Sequence, residues 1–239
     1  SLYRVHPGPS IEKLEKLREF LGELGLSLGG GNEPQPRDYG VLLDQVRGRS
    51  DAHLIQTVLL RSLAQAVYTP DNKGHFGLSY KAYAHFTSPI RRYPDLLVHR
   101  AIRHRLSKKP AEDFHYSMED MVLLGEHCSM TERRADDATR DATDWLKCEF
   151  MMDRVGDEYD GIITGVTGFG LFVTLDDIYA EGLVHVTALN NDYYHFDPAK
   201  HRLMGERTRR IYRLADKVRI RVLAVNLDER KIDFEMVEG

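Results

Sequence analysis

The feature that most constrains this chain is a change of rhythm near Gly156. Upstream, residues 117 to 154 contain no Pro and a single Gly, and they open on Ser117-Met118-Glu119-Asp120, an approximate capping box with Asp in place of Glu at the third helical position. That predicts one long helix or two in series. Downstream the apolar period drops to two, and strands are expected over about 158–165, 169–175, 181–186, 217–225 and 230–236. Five short strands, one long polar and aromatic-rich connection before the fourth, and Gly at the bends predict a small five-stranded barrel of oligonucleotide-binding type (OB-fold). The expected class is therefore α+β and multidomain, a mostly helical part over 1–155 followed by a β-barrel over 156–239.

The helical part reads from its caps and stripes. Ser10, then Leu14, Leu17, Leu21 and Leu24, then Gly25, predict a helix over 11–24, and Gly29 to Pro36 a loop. Two more helices are expected over about 37–47 and 51–67, the second capped by Ser50 or Asp51 and striped with Leu54, Ile55, Val58, Leu59 and Leu63. Another runs from Pro94 to Leu106, with Leu97, Ala101 and Ile102 inward and Arg100, Arg103 and His104 outward. The length of 239 residues suits two domains, and 42% hydrophobic with 29% charged residues excludes collagenous and broadly disordered chains. No apolar run reaches the roughly 18 residues of a membrane span, and the N-terminus has neither a signal core nor a transit pattern, so a cytoplasmic location is expected. Cys128 and Cys148 match neither a zinc spacing nor a Cys-x-x-Cys pair and read as reduced thiols.

The net charge of −4 argues against a generic nucleic-acid binder, yet the charge is segregated. Residues 85–109 carry seven Arg or Lys against Asp95 alone, and residues 201–221 carry eight against Glu206 and Asp216. Between them, residues 110–145 carry ten acids against Arg133, Arg134 and Arg140. Either these are solvated faces, or two basic blocks contact a polyanion. Asp137, Asp141 and Asp144 share a helix face that suits either a divalent ion or local ion pairs with the neighbouring arginines.

Two strings carry chemistry. In Gly165-Val-Thr-Gly-Phe-Gly-Leu-Phe172, a bulge would bring Phe169 and Phe172 to one surface, where bases stack at roughly 1 to 3 kcal/mol each. The bland reading is one core Phe and one lone exposed ring. A phosphate loop is disfavoured because the glycine spacing is wrong and no helix follows. In Tyr83-Ala-His-Phe-Thr-Ser-Pro-Ile-Arg-Arg-Tyr-Pro-Asp95, Arg91 and Arg92 sit in a Pro-bounded loop before a helix, where guanidinium groups either grip phosphate oxygens or form surface ion pairs.

The first string, with Gly182-Leu-Val-His185 and Asn226-Leu-Asp-Glu-Arg-Lys-Ile232, resembles the S1-type RNA-binding domain over 157–239. The second, preceded by Gly74-His-Phe-Gly77, resembles the signature of the ribonuclease II/R family, the RNB domain. The order of the two, with Tyr116-Ser-Met-Glu and Trp145-Leu-Lys-Cys, is similar to the C-terminal part of that family's bacterial R branch. The resemblance implies a share in a processive 3′-to-5′ exoribonuclease that releases nucleoside 5′-monophosphates from single-stranded RNA and from structured RNA with a 3′ overhang. It implies Arg91 as the catalytic arginine on the scissile phosphate, Arg92 and Tyr93 as residues that shape the RNA channel or brace the loop, and His85 and Ser88 in support. It also implies Phe169, Phe172, His185 and either Arg230 or Lys231 as RNA contacts, with Asn226 where the family often has Asp. The family's two Mg²⁺ ions are held by four aspartates in the first half of the RNB domain. That motif is not found here, because Asp136, Asp137, Asp141 and Asp144 lie downstream of the Arg signature. No metal site is expected in this chain, the missing half of the RNB domain is expected as a partner, and the chain alone is expected to bind RNA without hydrolysing it. A second reading, from the family's association with trans-translation and ribosomal RNA turnover, is a docking module whose acidic 110–145 segment meets a ribonucleoprotein or protein partner. A third, an unrelated enzyme built on local His and Asp residues, finds no paired-His or His-x-Glu spacing to support it.

Overall fold

The computed structural model describes residues 1–49, 51–189 and 192–237, so the proposed Ser50 cap lies outside the described residues. The chain forms two units, one drawn from residues within 1–136 and one from 137–239 with two short N-terminal stretches.

The first unit contains β1 (Tyr3–Val5), most of α1 (Ile11–Glu23), α2 (Pro36–Val46), the second part of α3 (Ala52–Ser62), β2 (Val67–Thr69), α4 (Tyr93–Leu106) and the first half of α5 (Met118–Met152). Helix α1 buries Leu14, Leu17, Phe20 and Leu21 and stops where Gly25 adopts a φ of 68°, which lets the Leu26 amide reach the Leu21 carbonyl at 2.9 Å. Helix α2 begins with Pro36, and the Asp38 carboxylate accepts from the Gln35 amide at 2.7 Å.

Helix α3 is shorter than its sequence pattern. It ends at Ser62, whose hydroxyl donates to the Leu59 carbonyl at 2.6 Å, while the Ala64 carbonyl accepts from His6 Nε2 at 2.7 Å. Residues 67–69 are strand instead, paired antiparallel with β1 as Arg4↔Tyr68. No Gly or Pro marks the change, and the pairing partner lies at the far end of the unit's sequence. Helix α4 buries Leu97, but Ile102, expected inward, is 45% exposed. Five residues from Leu97 is about 140° around a helix, which carries Ile102 off the buried face.

Helix α5 is one uninterrupted helix of 35 residues. Its cap is the expected reciprocal pair, the Asp120 amide donating to Ser117 Oγ at 3.0 Å and the Ser117 amide donating to Asp120 Oδ2 at 2.8 Å.

The second unit is built from β3 (Glu158–Thr167), β4 (Gly170–Leu175), β5 (Glu181–His185), β6 (Tyr194–Asp197), β7 (Arg202–Gly205), β8 (Ile211–Arg213), β9 (Lys217–Asn226) and β10 (Lys231–Met236). A closed barrel in the order β10-β5-β4-β3-β9 uses the five expected strands. Its core holds Ile163, Leu171, Val173, Val184, Ile220, Val222, Ile232 and Phe234, and the end of α5 adds Cys148 and Met151. The polar, aromatic-rich connection is in part a three-stranded antiparallel sheet, β6-β7-β8. Each of its strands inserts one residue, Tyr194, Leu203 and Tyr212, into the barrel's core. Strands of four, four and three residues are too short to show alternation in sequence.

Both cysteines are free and buried, and burial pushes both thiols up from their ordinary pKa. Among the described residues no helix is long and apolar enough to cross a membrane.

Closure of the barrel depends on Gly182. A Cβ there would sit 2.5 Å from the Phe234 ring and 2.7 Å from the Ile232 carbonyl, against the parallel β10–β5 seam. Gly182→Ala is expected to destabilise the protein by about 1 to 3 kcal/mol, read from the midpoint of urea unfolding.

Candidate nucleic-acid interface

The two candidate surfaces lie one in each unit. In the first, a single carboxylate organises the Arg-bearing loop. Asp95, in the first turn of α4, is fully buried, and its Oδ2 accepts from the Ser88 amide at 2.7 Å and from Arg92 Nη2 at 2.9 Å. The carboxylate thus ties the start of the Ser88–Arg92 turn to its end. Within the turn the Arg91 and Arg92 amides both donate to the Ser88 carbonyl, at 3.2 and 2.9 Å. Ile90 at the tip is fully exposed and Arg91 beside it is exposed. Among the described residues the Arg91 guanidinium has no hydrogen bond, ion pair or ring partner, so its fork is available to an incoming phosphate. Arg92 points the other way, into the pair with Asp95. Tyr93 also braces the loop, its hydroxyl 3.1 Å from that of Tyr116 and 3.2 Å from Arg100 Nη1.

Behind the loop runs a polar chain that the sequence did not reveal. His85 Nδ1 lies 2.9 Å from the Tyr68 hydroxyl, which lies 3.5 Å from Glu132 of α5, and Glu132 pairs with Arg4 of β1 at 2.6 Å. Arg4 also caps the Tyr68 ring at 4.5 Å. Burial pushes the Tyr68 phenol up to about 12, and burial first, then Arg92 and Arg4, pulls His85 below its ordinary value. Glu132 was one acid among ten in a charged stretch, and only its partners on β1 and β2 distinguish it. Further along α4, Arg100, Arg103, His104, Lys109 and His115 line an open cleft of about 540 Å³ in which Asp113 is the acidic residue. The basic block 85–109 is therefore partly consumed internally, by Arg92, and partly displayed.

On the barrel, the ladder between β3 and β4 slips between Ile163 and Gly165, so the stretch does bulge. A Cβ at Gly165 would meet the Phe172 ring at 3.0 Å, so glycine leaves that ring room against the strand. Phe169 and Phe172 come together edge to face at 5.9 Å, with Phe169 51% exposed. His185 enters the same patch because Gly170 pairs with it across β4 and β5, and its ring is oriented by Thr187 Oγ1, 2.7 Å from Nδ1. A Cβ at Gly170 would fall 2.4 Å from the Val184 carbonyl, a second glycine required by close approach.

Arg230 and Lys231 separate clearly. Lys231 begins β10 and its ammonium is paired with Glu229 at 2.6 Å. Arg230 sits in the turn before it with a φ of 52° and, among the described residues, pairs with Asp141 at 3.9 Å. Much of the basic block 201–221 is neutralised across strands. Arg219 pairs with Glu158 and Asp160, and Arg221 with Glu158 and Glu235, at 2.8 to 3.2 Å. On the acidic stripe, Asp137 faces Arg140 at 3.9 Å and Asp141 faces Arg230. Among the described residues no three His, Cys, Asp or Glu side chains converge to hold a metal ion.

The loop geometry predicts opposite fates for neighbouring arginines. Arg92→Ala strands a buried carboxylate and is expected to cost about 3 kcal/mol in urea unfolding, while Arg91→Ala stays within about 0.5 kcal/mol. The lowered pKa of His85 means the unfolded chain binds that proton more readily, so stability from the neutral ring is complete above about pH 6.5 and lost as pH falls below it. Melting temperatures measured from pH 7 to 5 should therefore fall less steeply in His85→Gln than in the parent, with a residual slope from His75, which burial shifts the same way.

Residues 1–108 match the RNB domain model and residues 152–236 the S1 RNA binding domain model. The chain is 57% identical to ribonuclease R of Escherichia coli K12 and 58% identical to ribonuclease R of Vibrio cholerae, in each case over its whole length and over 30% of the relative's. It spans about a third of the length of the curated relatives it matches. Among solved structures, apo RNase R of Mycoplasma genitalium superposes with a TM-score of 0.88 at 26% identity, covering 99% of this chain and 37% of that one. The same protein in complex with ribose methylated single-stranded RNA gives the same score and coverage. The chain belongs to the ribonuclease R family, as a piece that carries the end of an RNB domain followed by an S1 RNA-binding barrel.

Proposed function

We propose that this chain is the RNA-gripping C-terminal portion of a processive 3′-to-5′ exoribonuclease that hydrolyses RNA to nucleoside 5′-monophosphates. The boundary falls near residue 155, with 1–155 the end of the catalytic domain and 156–239 the RNA-binding barrel. The observation that carries this reading is Arg91: an exposed, unpartnered guanidinium on a turn held from beneath by the buried Asp95. A guanidinium so placed binds a phosphate through two parallel hydrogen bonds, and at a scissile phosphate it offsets the charge that develops as the P–O bond breaks. Arg92 and Tyr93 keep that group in position, and Arg92 serves RNA through the loop. The cationic cleft along α4 offers a path for further phosphates.

On the barrel, Phe169 and Phe172 give bases a face to stack on, His185 a hydrogen-bonding edge, and Arg230 a cation for the backbone. Arg230 suits this role better than Lys231, whose charge is already satisfied. The substrates are single-stranded RNA and structured RNA with a 3′ overhang, as fits the Mycoplasma genitalium relative solved with single-stranded RNA. A cytoplasmic location accords with this substrate. Magnesium would supply an activated water and a brace for the leaving oxygen, but the described acids of this chain do not fit such a site, so its ligands belong to the rest of the catalytic domain.

Fluorescence anisotropy with a 5′-labelled single-stranded RNA tests the reading. Affinity should fall steeply with salt, with a log–log slope near −2 or steeper for about three contacted phosphates. Phe169→Ala should weaken binding about five-fold or more, and Arg91→Ala should weaken it without loss of stability. With Mg²⁺ present the RNA should remain intact on a sequencing gel. Release of mononucleotides by the pure chain would overturn the assignment of the metal ligands to the missing part, and absence of any RNA binding would overturn the reading altogether.

A further inference from the structure

We infer that the three-stranded sheet inserted between β5 and β9 extends the barrel's RNA surface, with Phe196 as a third stacking platform beside Phe169 and Phe172. The inference rests on the barrel reading above and adds a site that the S1-type motif does not contain. Phe196 lies on β6, two residues after the buried Tyr194, so the two side chains share the barrel-facing side of that strand. It sits at the margin of that face and is 38% exposed. Its Cβ is 4.0 Å from the point where a side chain on Gly168 would begin, and Gly168 immediately precedes Phe169 in the β3–β4 turn. The absent side chain at 168 leaves Phe196 open beside the turn that bears the first platform.

Nothing in the fold already uses the ring. Among the described residues it has no aromatic or cationic partner, unlike Tyr194, which packs against Tyr212 at 5.7 Å. The sheet is anchored by Tyr194, Leu203 and Tyr212, so Phe196 is not needed to hold it. Its neighbour Asp197 is neutralised by Arg202 at 3.1 Å, which removes the charge that would repel a phosphate next to the ring. An exposed apolar ring on a strand, next to the proposed pair of such rings, is suited to one further base of an RNA strand stacked on Phe169.

The experiment is binding of a 5′-labelled oligoadenylate of eight nucleotides to the 239-residue chain. Phe196→Ala and Phe196→Leu are measured beside Phe196→Tyr, Phe169→Ala and Tyr193→Ala, each first shown to melt at the parent's temperature. Phe196→Ala and Phe196→Leu are expected to weaken binding about five-fold or more with an unchanged salt slope, Phe196→Tyr to bind like the parent, and Tyr193→Ala to do so as well. Leucine keeps the apolar volume and removes only the aromatic face, so its loss reports stacking even if alanine disturbs the sheet. If Phe196→Leu binds within two-fold of the parent while Phe169→Ala is impaired, the third platform is wrong and the barrel reading stands. If neither variant is impaired, both are wrong. A changed salt slope, or failure of Phe196→Tyr to retain affinity, would also overturn the stacking role.

Discussion

The first unit turns on one buried carboxylate. A carboxylate removed from water is costly to bury, and here one oxygen, Oδ2 of Asp95, is matched by groups from both ends of the loop that precedes it, while Oδ1 is buried without a hydrogen-bond partner among the described residues. Satisfying the carboxylate therefore dictates the shape of the loop: Ser88 must come in, Arg92 must turn inward, and the residues between them are forced out. Arg91 is displayed because Arg92 is used. Of two adjacent arginines, one is structural so that the other is free, and exchanging either for lysine would lose the planar fork that each role needs.

The barrel solves its own problem by subtraction. Where β5 meets β10 and where β4 crosses β5, a side chain would collide with a ring or a carbonyl, where the β3 ladder bulges it would crowd a ring, and glycine occupies each place. These absences let Phe172 lie close against the strand and bring His185 alongside. Across the strands β3, β9 and β10, the interlocked pairs of Arg219 and Arg221 make that face nearly neutral.

What could be read from the sequence follows from how local each determinant is. The α5 cap, the stop at Gly25 and the five barrel strands are set by residues within one or two turns of each other, and all were legible. Strand β2 was not, because its apolar residues continue a helical stripe and its partner β1 lies more than sixty residues upstream. The β6–β8 sheet was hidden for a different reason, with one buried apolar side chain per strand. The same distinction governs the site. Arg91 and the Phe pair announce themselves in compact strings, whereas the links from His85 through Tyr68 and Glu132 to Arg4 draw on four segments, and Arg219 and Arg221 read as free cations until the strands carrying Glu158, Asp160 and Glu235 are laid beside them.

The backbone at Arg230 has a consequence for anyone who would improve this protein. A left-handed φ of 52° disfavours an L-residue with a β-carbon by roughly 1 to 2 kcal/mol, and Gly or Asn would make the same turn with less strain. A search guided by thermostability would arrive at glycine there and remove the one cation in the β9–β10 turn that is not already tied to a close acidic partner. Durability and the proposed hold on RNA are opposed at this position, so variants selected for heat resistance should be screened for what they have ceased to hold.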